Sequence, residues 1–117
     1  MVDDNQDAAE TIAMALNLEG FMVATAFDGN TALAEAATFQ PHVVLLDIGM
    51  PGMDGYAVSQ ELRARDQTNS LIIIALTGYG QPEDKARGKA AGFSDHLTKP
   101  ITPDLLSTVL RKHLAGH

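Results

Sequence analysis

The chain has 117 residues, which suits one domain with one hydrophobic core. Acidic side chains outnumber basic ones by 15 to 8, and the net charge of −7 argues against direct binding to nucleic acids or to anionic membrane surfaces. Hydrophobic residues make up 45% of the chain, which is typical of a globular protein. The chain has no cysteine, which excludes disulfides and thiolate metal sites. The absence of cysteine also suits the cytoplasmic location that we expect.

The first 41 residues are predicted to alternate strands and helices. The first strand looks as if its beginning were missing, because only two residues precede Asp3. Asn5 can cap a helix, Gly20 lies where helices commonly end, and Pro41 cannot continue a helix. In chain order we predict a strand end at 1–4, a helix between Asn5 and Gly20, a strand at 21–26, a turn at 28–29 and a helix at 31–39.

The rest of the chain continues this alternation. The apolar run before Asp47 predicts a strand buried on both faces, as in a parallel sheet. Strand–helix alternation repeated five times predicts a doubly wound α/β domain. The remaining predicted elements are a strand at 43–47, a helix from about 54 to 65, a strand at 71–76, a loop at 77–81, a helix from 82 to 92, a strand at 93–97 and a helix from 102 to about 114.

Polar side chains follow the predicted strands. Parallel strands direct their carboxyl ends to one edge of the sheet, where ligands of such folds usually bind. We therefore expect three carboxylates, a hydroxyl and an ammonium group to meet there. These groups belong to Asp3, Asp4, Asp47, Thr77 and Lys99.

Three neighbouring carboxylates repel one another, and a divalent cation relieves that repulsion. Their oxygen ligands suit Mg²⁺, with Mn²⁺ as a substitute, and Mg²⁺ keeps room for phosphate oxygens. Lys99 and Thr77 can bind a new anionic oxygen by charge and by hydrogen bonding. This set of residues favours phosphoryl transfer to a carboxylate.

The same residues resemble those of a response-regulator receiver domain, the phospho-acceptor module of two-component signalling. The resemblance runs from Met1 to about Leu114. It depends on several short motifs that follow successive strands in order. They are Asp3-Asp4, Asp47 with Met50-Pro51 and Asp54-Gly55, Thr77-Gly78, and Lys99-Pro100.

The resemblance implies a flavodoxin-like (βα)5 fold of three layers, with strand order 2-1-3-4-5 and one domain over residues 1–117. It implies that Asp47 is phosphorylated, that Asp4 and Asp47 bind Mg²⁺, and that Asp3 assists through water. The backbone carbonyl of Gly49 is the implied third protein ligand.

The resemblance further implies that Thr77 and Lys99 bind the phosphoryl oxygens and that the Lys99–Pro100 bond is cis. His96 stands where the family usually has a switch aromatic, and histidine is smaller and can titrate. Gly49 and Tyr79 occupy the two positions that tune dephosphorylation in the family, with opposite expected effects on access of water.

The implied partner is a histidine kinase or a histidine phosphotransfer domain, and phosphorylation would switch the face of predicted helix four, strand five and helix five. That face would contact an output domain or a second copy. The abrupt start suggests a receiver cut from a hybrid histidine kinase, although a free-standing receiver fits as well. The alternatives are a degenerate receiver that binds proteins without phosphorylation, a metal-dependent phosphohydrolase and a flavodoxin-like cofactor binder.

Overall fold

A three-stranded parallel sheet lies at the centre of the computed structural model, which describes residues 1–49, 55–66, 71–78 and 91–115. The strands lie side by side in chain order, and four helices accompany them. The strands are β1 (Val43–Asp47), β2 (Ile72–Thr77) and β3 (Asp95–Thr98). The helices are α1 (Gln6–Leu18), α2 (Gly29–Phe39), α3 (Gly55–Arg65) and α4 (Pro103–Ala115).

The middle of the sheet is apolar on both faces. Every residue of β2 is buried, and so are the last four of β1. β1 pairs with β2 from Val43 opposite Ile72 to Asp47 opposite Leu76. Branched side chains on both sides of such strands require cover from two layers of helices.

The two helical layers each enclose a core. α2 packs near α3 on one face of the sheet, and α1 packs near α4 on the other. The prediction of a three-layer α/β fold is therefore confirmed. One core contains Val2, Ala26, Ala32, Val44, Leu46, Val58, Leu62 and Ile73, and the other contains Ile12, Leu16, Leu45, Ile72, Ile74, Leu76, Leu106 and Leu110.

The first two predicted strands form single bridges instead of a ladder. Val2 pairs in parallel with Ala26 on one side and with Leu46 on the other. The order across the fold is thus 2-1-3-4-5 by predicted strand number. The prediction of a strand over 21–26 is wrong in extent, because the first segment supplies too few backbone groups for a longer ladder.

Several boundaries also differ from the predictions. Asp28 is the N-cap of α2 rather than a turn residue, and its carboxylate accepts from the Thr31 amide at 2.7 Å. α2 therefore begins two residues earlier than predicted. β3 begins at Asp95, two residues later than predicted, after the Ser94 amide has bonded to the Ile73 carbonyl at 2.7 Å. The predicted helix over 82–92 lies outside the described residues except for its last two positions.

Within the described ranges, no helix is long and apolar enough to cross a membrane.

Candidate functional site

The acidic cluster lies at the carboxyl edge of the sheet. Asp47 is the last residue of β1, and Asp3 follows Val2, which bridges to Leu46 beside it. The amide of Asp47 donates to the Val2 carbonyl at 2.9 Å, so the two acidic segments are fixed side by side. Asp3, Asp4 and Asp47 each place a carboxylate oxygen within 4.8 Å of the others.

Burial differs sharply among the three acids. Asp3 and Asp47 are 2% and 5% exposed, whereas Asp4 faces solvent. Backbone amides hold the two buried carboxylates: Asn5 donates to Asp3 Oδ1 at 3.0 Å, and Gly49 donates to Asp47 Oδ1 at 2.8 Å. The cluster therefore consists of two buried acids, Asp3 and Asp47, which form an inner pair, and of the solvent-exposed Asp4.

Lys99 lies between the two buried acids. Its ammonium donates to Asp47 Oδ2 at 2.8 Å and to Asp3 Oδ2 at 3.4 Å. Burial disfavours the charged form, but the hydrogen bond and charge of Asp47, together with those of Asp3, outweigh this effect and raise the pKa of Lys99. Lys99 is thus a fixed cation that partly neutralises the inner pair.

The backbone positions Lys99 for this contact. β3 pairs with β2 as far as Thr98 opposite Thr77, and the next amide, that of Lys99, donates to the Thr77 carbonyl at 2.7 Å. The Lys99–Pro100 peptide bond is cis. The two strand ends therefore bring Lys99 to the acidic edge.

Thr77 lies at the same edge but its hydroxyl is turned toward β3. The hydroxyl lies 3.4 Å from the Leu97 carbonyl, to which it can donate, and 3.4 Å from the Thr98 hydroxyl, and both distances are at the long end of hydrogen bonding. Thr98 was not among the predicted site residues. Its place directly opposite Thr77 follows from the strand register, which the sequence alone did not define.

Of the other predicted residues, the structure describes Gly49 and His96. Gly49 is exposed and lies in the turn that follows β1, and its amide already donates to Asp47. His96 is half-buried within β3, opposite Ala75. Met50, Pro51, Asp54 and Tyr79 lie outside the described residues.

The donor set fits a hard divalent cation. The three clustered ligands are all carboxylates, and one of them faces solvent, as suits an ion that retains water. Within the described ranges, Lys99 is the only cationic side chain that forms ion pairs with Asp3 and Asp47. A single positive charge leaves the three-carboxylate cluster with an excess of negative charge.

Comparisons with known proteins agree with this geometry. A family model described as "Response regulator receiver domain" matches residues 1–111. Response regulator PleD of Caulobacter vibrioides is 38% identical over 111 residues, which cover 95% of this chain and 24% of PleD. Protein PilH of Pseudomonas aeruginosa is 34% identical over 116 residues, which cover 99% of this chain and 96% of PilH.

A comparison with solved structures agrees with these sequence matches. The chemotaxis protein CheY4 of Vibrio cholerae superposes with a TM-score of 0.86 at 34% identity, covering 95% of this chain and 92% of CheY4. The chain spans about a quarter of the length of PleD but nearly all of PilH and CheY4.

Proposed function

Because the chain belongs to the response regulator receiver domain family, we propose that it is a phospho-acceptor switch with Asp47 as the phosphorylated residue. The family is a signalling module rather than a classical enzyme. The observation that carries the proposal is the buried Asp47 carboxylate, held by the Gly49 amide on one oxygen and by Lys99 on the other. Helix caps are ordinarily exposed, whereas this carboxylate is enclosed among two further acids and a cation.

The proposed reaction transfers a phosphoryl group from a histidine of a partner. A carboxylate oxygen of Asp47 attacks phosphorus, and the bond between phosphorus and the imidazole nitrogen breaks. The bonding electrons stay on that nitrogen, which regains a proton from solvent. The product is an acyl phosphate on Asp47, and the donor histidine is left neutral. A histidine kinase or a histidine phosphotransfer domain supplies this chemistry.

Mg²⁺, or Mn²⁺ in its place, is the proposed cofactor. Asp4 and Asp47 would hold it directly, Asp3 would assist through water, and the Gly49 carbonyl would complete the protein ligands. When bound, the ion supplies neutralisation of the charge that the incoming phosphoryl group adds to the cluster. The solvent-facing position of Asp4 leaves an approach for the ion and for the phosphoryl donor.

Lys99 and Thr77 are the proposed contacts of the phosphoryl oxygens. Lys99 already lies 2.8 Å from Asp47, so it can pair with an oxygen on the modified side chain. The Thr77 hydroxyl makes two long hydrogen bonds, which cost little to exchange for a charge-assisted one. We propose that this exchange, acting together with His96, changes the surface formed by β3 and α4 so that it binds an output domain or a second copy. These two elements are the predicted strand five and helix five.

Phosphorylation is tested by intact-mass spectrometry after incubation with acetyl phosphate and Mg²⁺. We expect one added phosphoryl group in the native chain and none in Asp47→Asn or in the presence of EDTA. Asp28→Asn is the matched control, because asparagine keeps the α2 cap while removing one carboxylate elsewhere. Labelling that persists in Asp47→Asn would refute the assignment, and a folded chain that takes no label would favour a phosphorylation-independent binding module.

A further inference from the structure

The last cross-strand pair of β2 and β3 consists of two threonines. Thr77 ends β2, Thr98 ends β3, and the two residues lie directly opposite each other. Side chains of residues opposed in this way stand on the same face of a sheet, where their groups can interact. The two hydroxyl oxygens are 3.4 Å apart, which makes a long hydrogen bond. Thr98 is therefore a neighbour of Thr77 that the proposed phosphoryl contacts do not include.

The backbone around this pair is held in place. The amide of Lys99, which directly follows Thr98, donates to the Thr77 carbonyl at 2.7 Å. Because both main chains are held, only rotation about a side-chain bond moves either hydroxyl. Thr77 is 4% exposed, whereas Thr98 faces solvent. The position of the Thr77 hydroxyl therefore depends on the protein groups that it contacts.

The Thr77 hydroxyl has only one proton to donate. A hydroxyl can both donate and accept, whereas a backbone carbonyl can only accept. Both contacts of Thr77 are satisfied when its proton goes to the Leu97 carbonyl and its oxygen accepts from the Thr98 hydroxyl. In this arrangement Thr77 has no proton left for a third group. The hydroxyl must therefore leave both partners before it can donate to a phosphoryl oxygen.

The two partners of the Thr77 hydroxyl depend on the sequence in different ways. The Leu97 carbonyl belongs to the backbone, so any residue at that position supplies it. In a parallel ladder in which Lys99 donates to Thr77, the Thr77 amide donates to the same Leu97 carbonyl, which keeps this partner when the hydroxyl turns away. The Thr98 hydroxyl is present only because residue 98 is a threonine. The strength with which the Thr77 hydroxyl is held beside β3 therefore depends on the side chain at position 98.

We propose that Thr98 is a positioning residue, which retains the Thr77 hydroxyl beside β3 in the unphosphorylated chain and thereby slows phosphorylation of Asp47. The inference rests on the proposed function, in which Thr77 contacts a phosphoryl oxygen. Thr98 acts through Thr77 and does not touch the phosphoryl group. Once Thr77 has turned to the phosphoryl oxygen, its contact with Thr98 is already broken. Thr98 therefore affects how fast the aspartyl phosphate forms and not how long it lasts.

The rate of labelling by acetyl phosphate and Mg²⁺, followed by intact-mass spectrometry, tests this proposal. Thr98→Val replaces the hydroxyl by a methyl group and keeps the branched shape that suits a strand. We expect labelling about threefold faster than in the native chain, which is the effect of losing one cross-strand contact between threonines. The half-life of the phosphorylated chain after removal of acetyl phosphate should stay the same. A labelling rate at or below the native rate would overturn the proposal, and so would a changed half-life.

Two further variants at the same position separate the hydroxyl from the shape of the side chain. Thr98→Ser keeps the hydroxyl and should label at the native rate. Thr98→Ala lacks the hydroxyl and should label as fast as Thr98→Val, so the test does not depend on how well valine is accommodated. If Thr98→Ser and Thr98→Ala label at the same rate, the hydroxyl has no part in the effect and the proposal is wrong.

Thr38 supplies a matched control on α2. Its hydroxyl donates to the Ala34 carbonyl at 3.4 Å, which is the same length as the contacts of Thr77. Thr38 is exposed, so Thr38→Val removes a comparable hydroxyl outside the acidic cluster. We expect it to label at the native rate. Equal acceleration in Thr38→Val and Thr98→Val would show an effect of threonine replacement in general, and the proposal would fail.

A double-mutant cycle in urea unfolding tests the contact without phosphorylation. Thr77→Val, Thr98→Val and the double variant are compared in EDTA, and the two single losses should sum to more than the double loss, by about threefold in the unfolding equilibrium constant. The absence of coupling would overturn the proposal. A native chain that takes no label would refute the proposed function, while this cycle would still decide whether Thr98 holds Thr77. A native chain that labels, with Thr98→Val at the native rate, would refute the role of Thr98 alone.

Discussion

In the absence of a metal ion, Lys99 is the side chain that partly neutralises the buried acids Asp3 and Asp47. It contacts two carboxylates that are almost fully buried, and Lys99→Met leaves both without their cation. We expect the free energy of unfolding in EDTA to fall by about 2 kcal/mol, a moderate loss because the lysine side chain is 31% exposed. Urea unfolding measures this loss.

The control for Lys99 is an ion pair of similar length on the surface. Arg65 bonds to Glu61 at 3.1 Å on α3, and both side chains are about half exposed. Arg65→Met should cost at most about 0.5 kcal/mol. If the two variants lose equal stability, the buried acids do not depend on Lys99.

Ionisation of Asp95 makes the stability of the folded chain depend on pH. Burial raises the pKa of Asp95, but hydrogen bonds from His113 and from the His96 amide outweigh burial, and the pKa lies below its usual value. The ionised form is favoured in the folded state, so this stabilisation is present above about pH 4 and is lost as pH falls through the lowered pKa.

We expect Asp95→Asn to be less stable than the native chain at neutral pH and to converge with it as the solution is acidified below about pH 4. Urea unfolding over a pH series measures this difference. Glu10→Gln, an exposed change on α1, should show no such convergence. A constant gap between Asp95→Asn and the native chain at every pH would contradict the linkage.

At the scale of elements, α3 is joined to the segment before β3 through Arg63. The Arg63 Nε donates to the Gly92 carbonyl at 2.8 Å, and a methyl group at Gly92 would lie 2.6 Å from Arg63 Cγ. Gly92 also has a positive φ of 90°. Gly92→Ala therefore combines backbone strain with displacement of the arginine.

Gly20 is the control that separates the cost of backbone strain from the cost of displacing Arg63. Its φ is 98°, but nothing lies within 4 Å of a methyl group placed there. We expect Gly20→Ala to cost about 1 kcal/mol and Gly92→Ala about 2 kcal/mol or more in urea unfolding. Equal losses would mean that the methyl group at Gly92 adds no cost at Arg63 beyond the backbone strain.

At the scale of the whole molecule, Mg²⁺ should stabilise the folded chain, because the unfolded chain does not assemble the acidic cluster. At a free concentration 100-fold above the dissociation constant, the gain is about 2.7 kcal/mol. Differential scanning calorimetry with Mg²⁺ and with EDTA measures it. Asp4→Asn should reduce the gain without lowering the metal-free stability, because it removes one of three carboxylates that repel one another. Asp7→Asn, on α1 outside the cluster, should retain the full gain.

Much of this architecture was predictable from the sequence because it depends on local patterns. The apolar runs before Asp47 and Thr77 predicted β1 and β2 to within one residue at each end. The parallel direction of those strands then predicted that the acids and Lys99 would gather at one edge. Their roles in phosphoryl transfer remain predictions.

What the sequence did not predict depends on contacts between distant residues. Residues 21–26 have strand-like composition, yet a ladder extends only as far as residues have pairing partners, and Val2 supplies one bridge. The direction of the Thr77 hydroxyl toward Thr98 depends on a strand pairing 21 residues away. The contacts of Arg63 with Gly92 and Ser94 have no local signal, since they join positions 29 and 31 residues apart.

Arg63 has a further consequence for how the molecule opens. Its guanidinium bonds to the Leu71 carbonyl before β2 and to Ser94 before β3, while Ser94 Oγ accepts from the Ile73 amide. These links give the amino-terminal ends of both strands a common set of hydrogen bonds with α3. The amides of Ile73 and Ser94 should therefore exchange with deuterium in a single cooperative event, as one foldon. Arg63→Met would divide that event into two, with faster exchange at Ser94 than at Ile73.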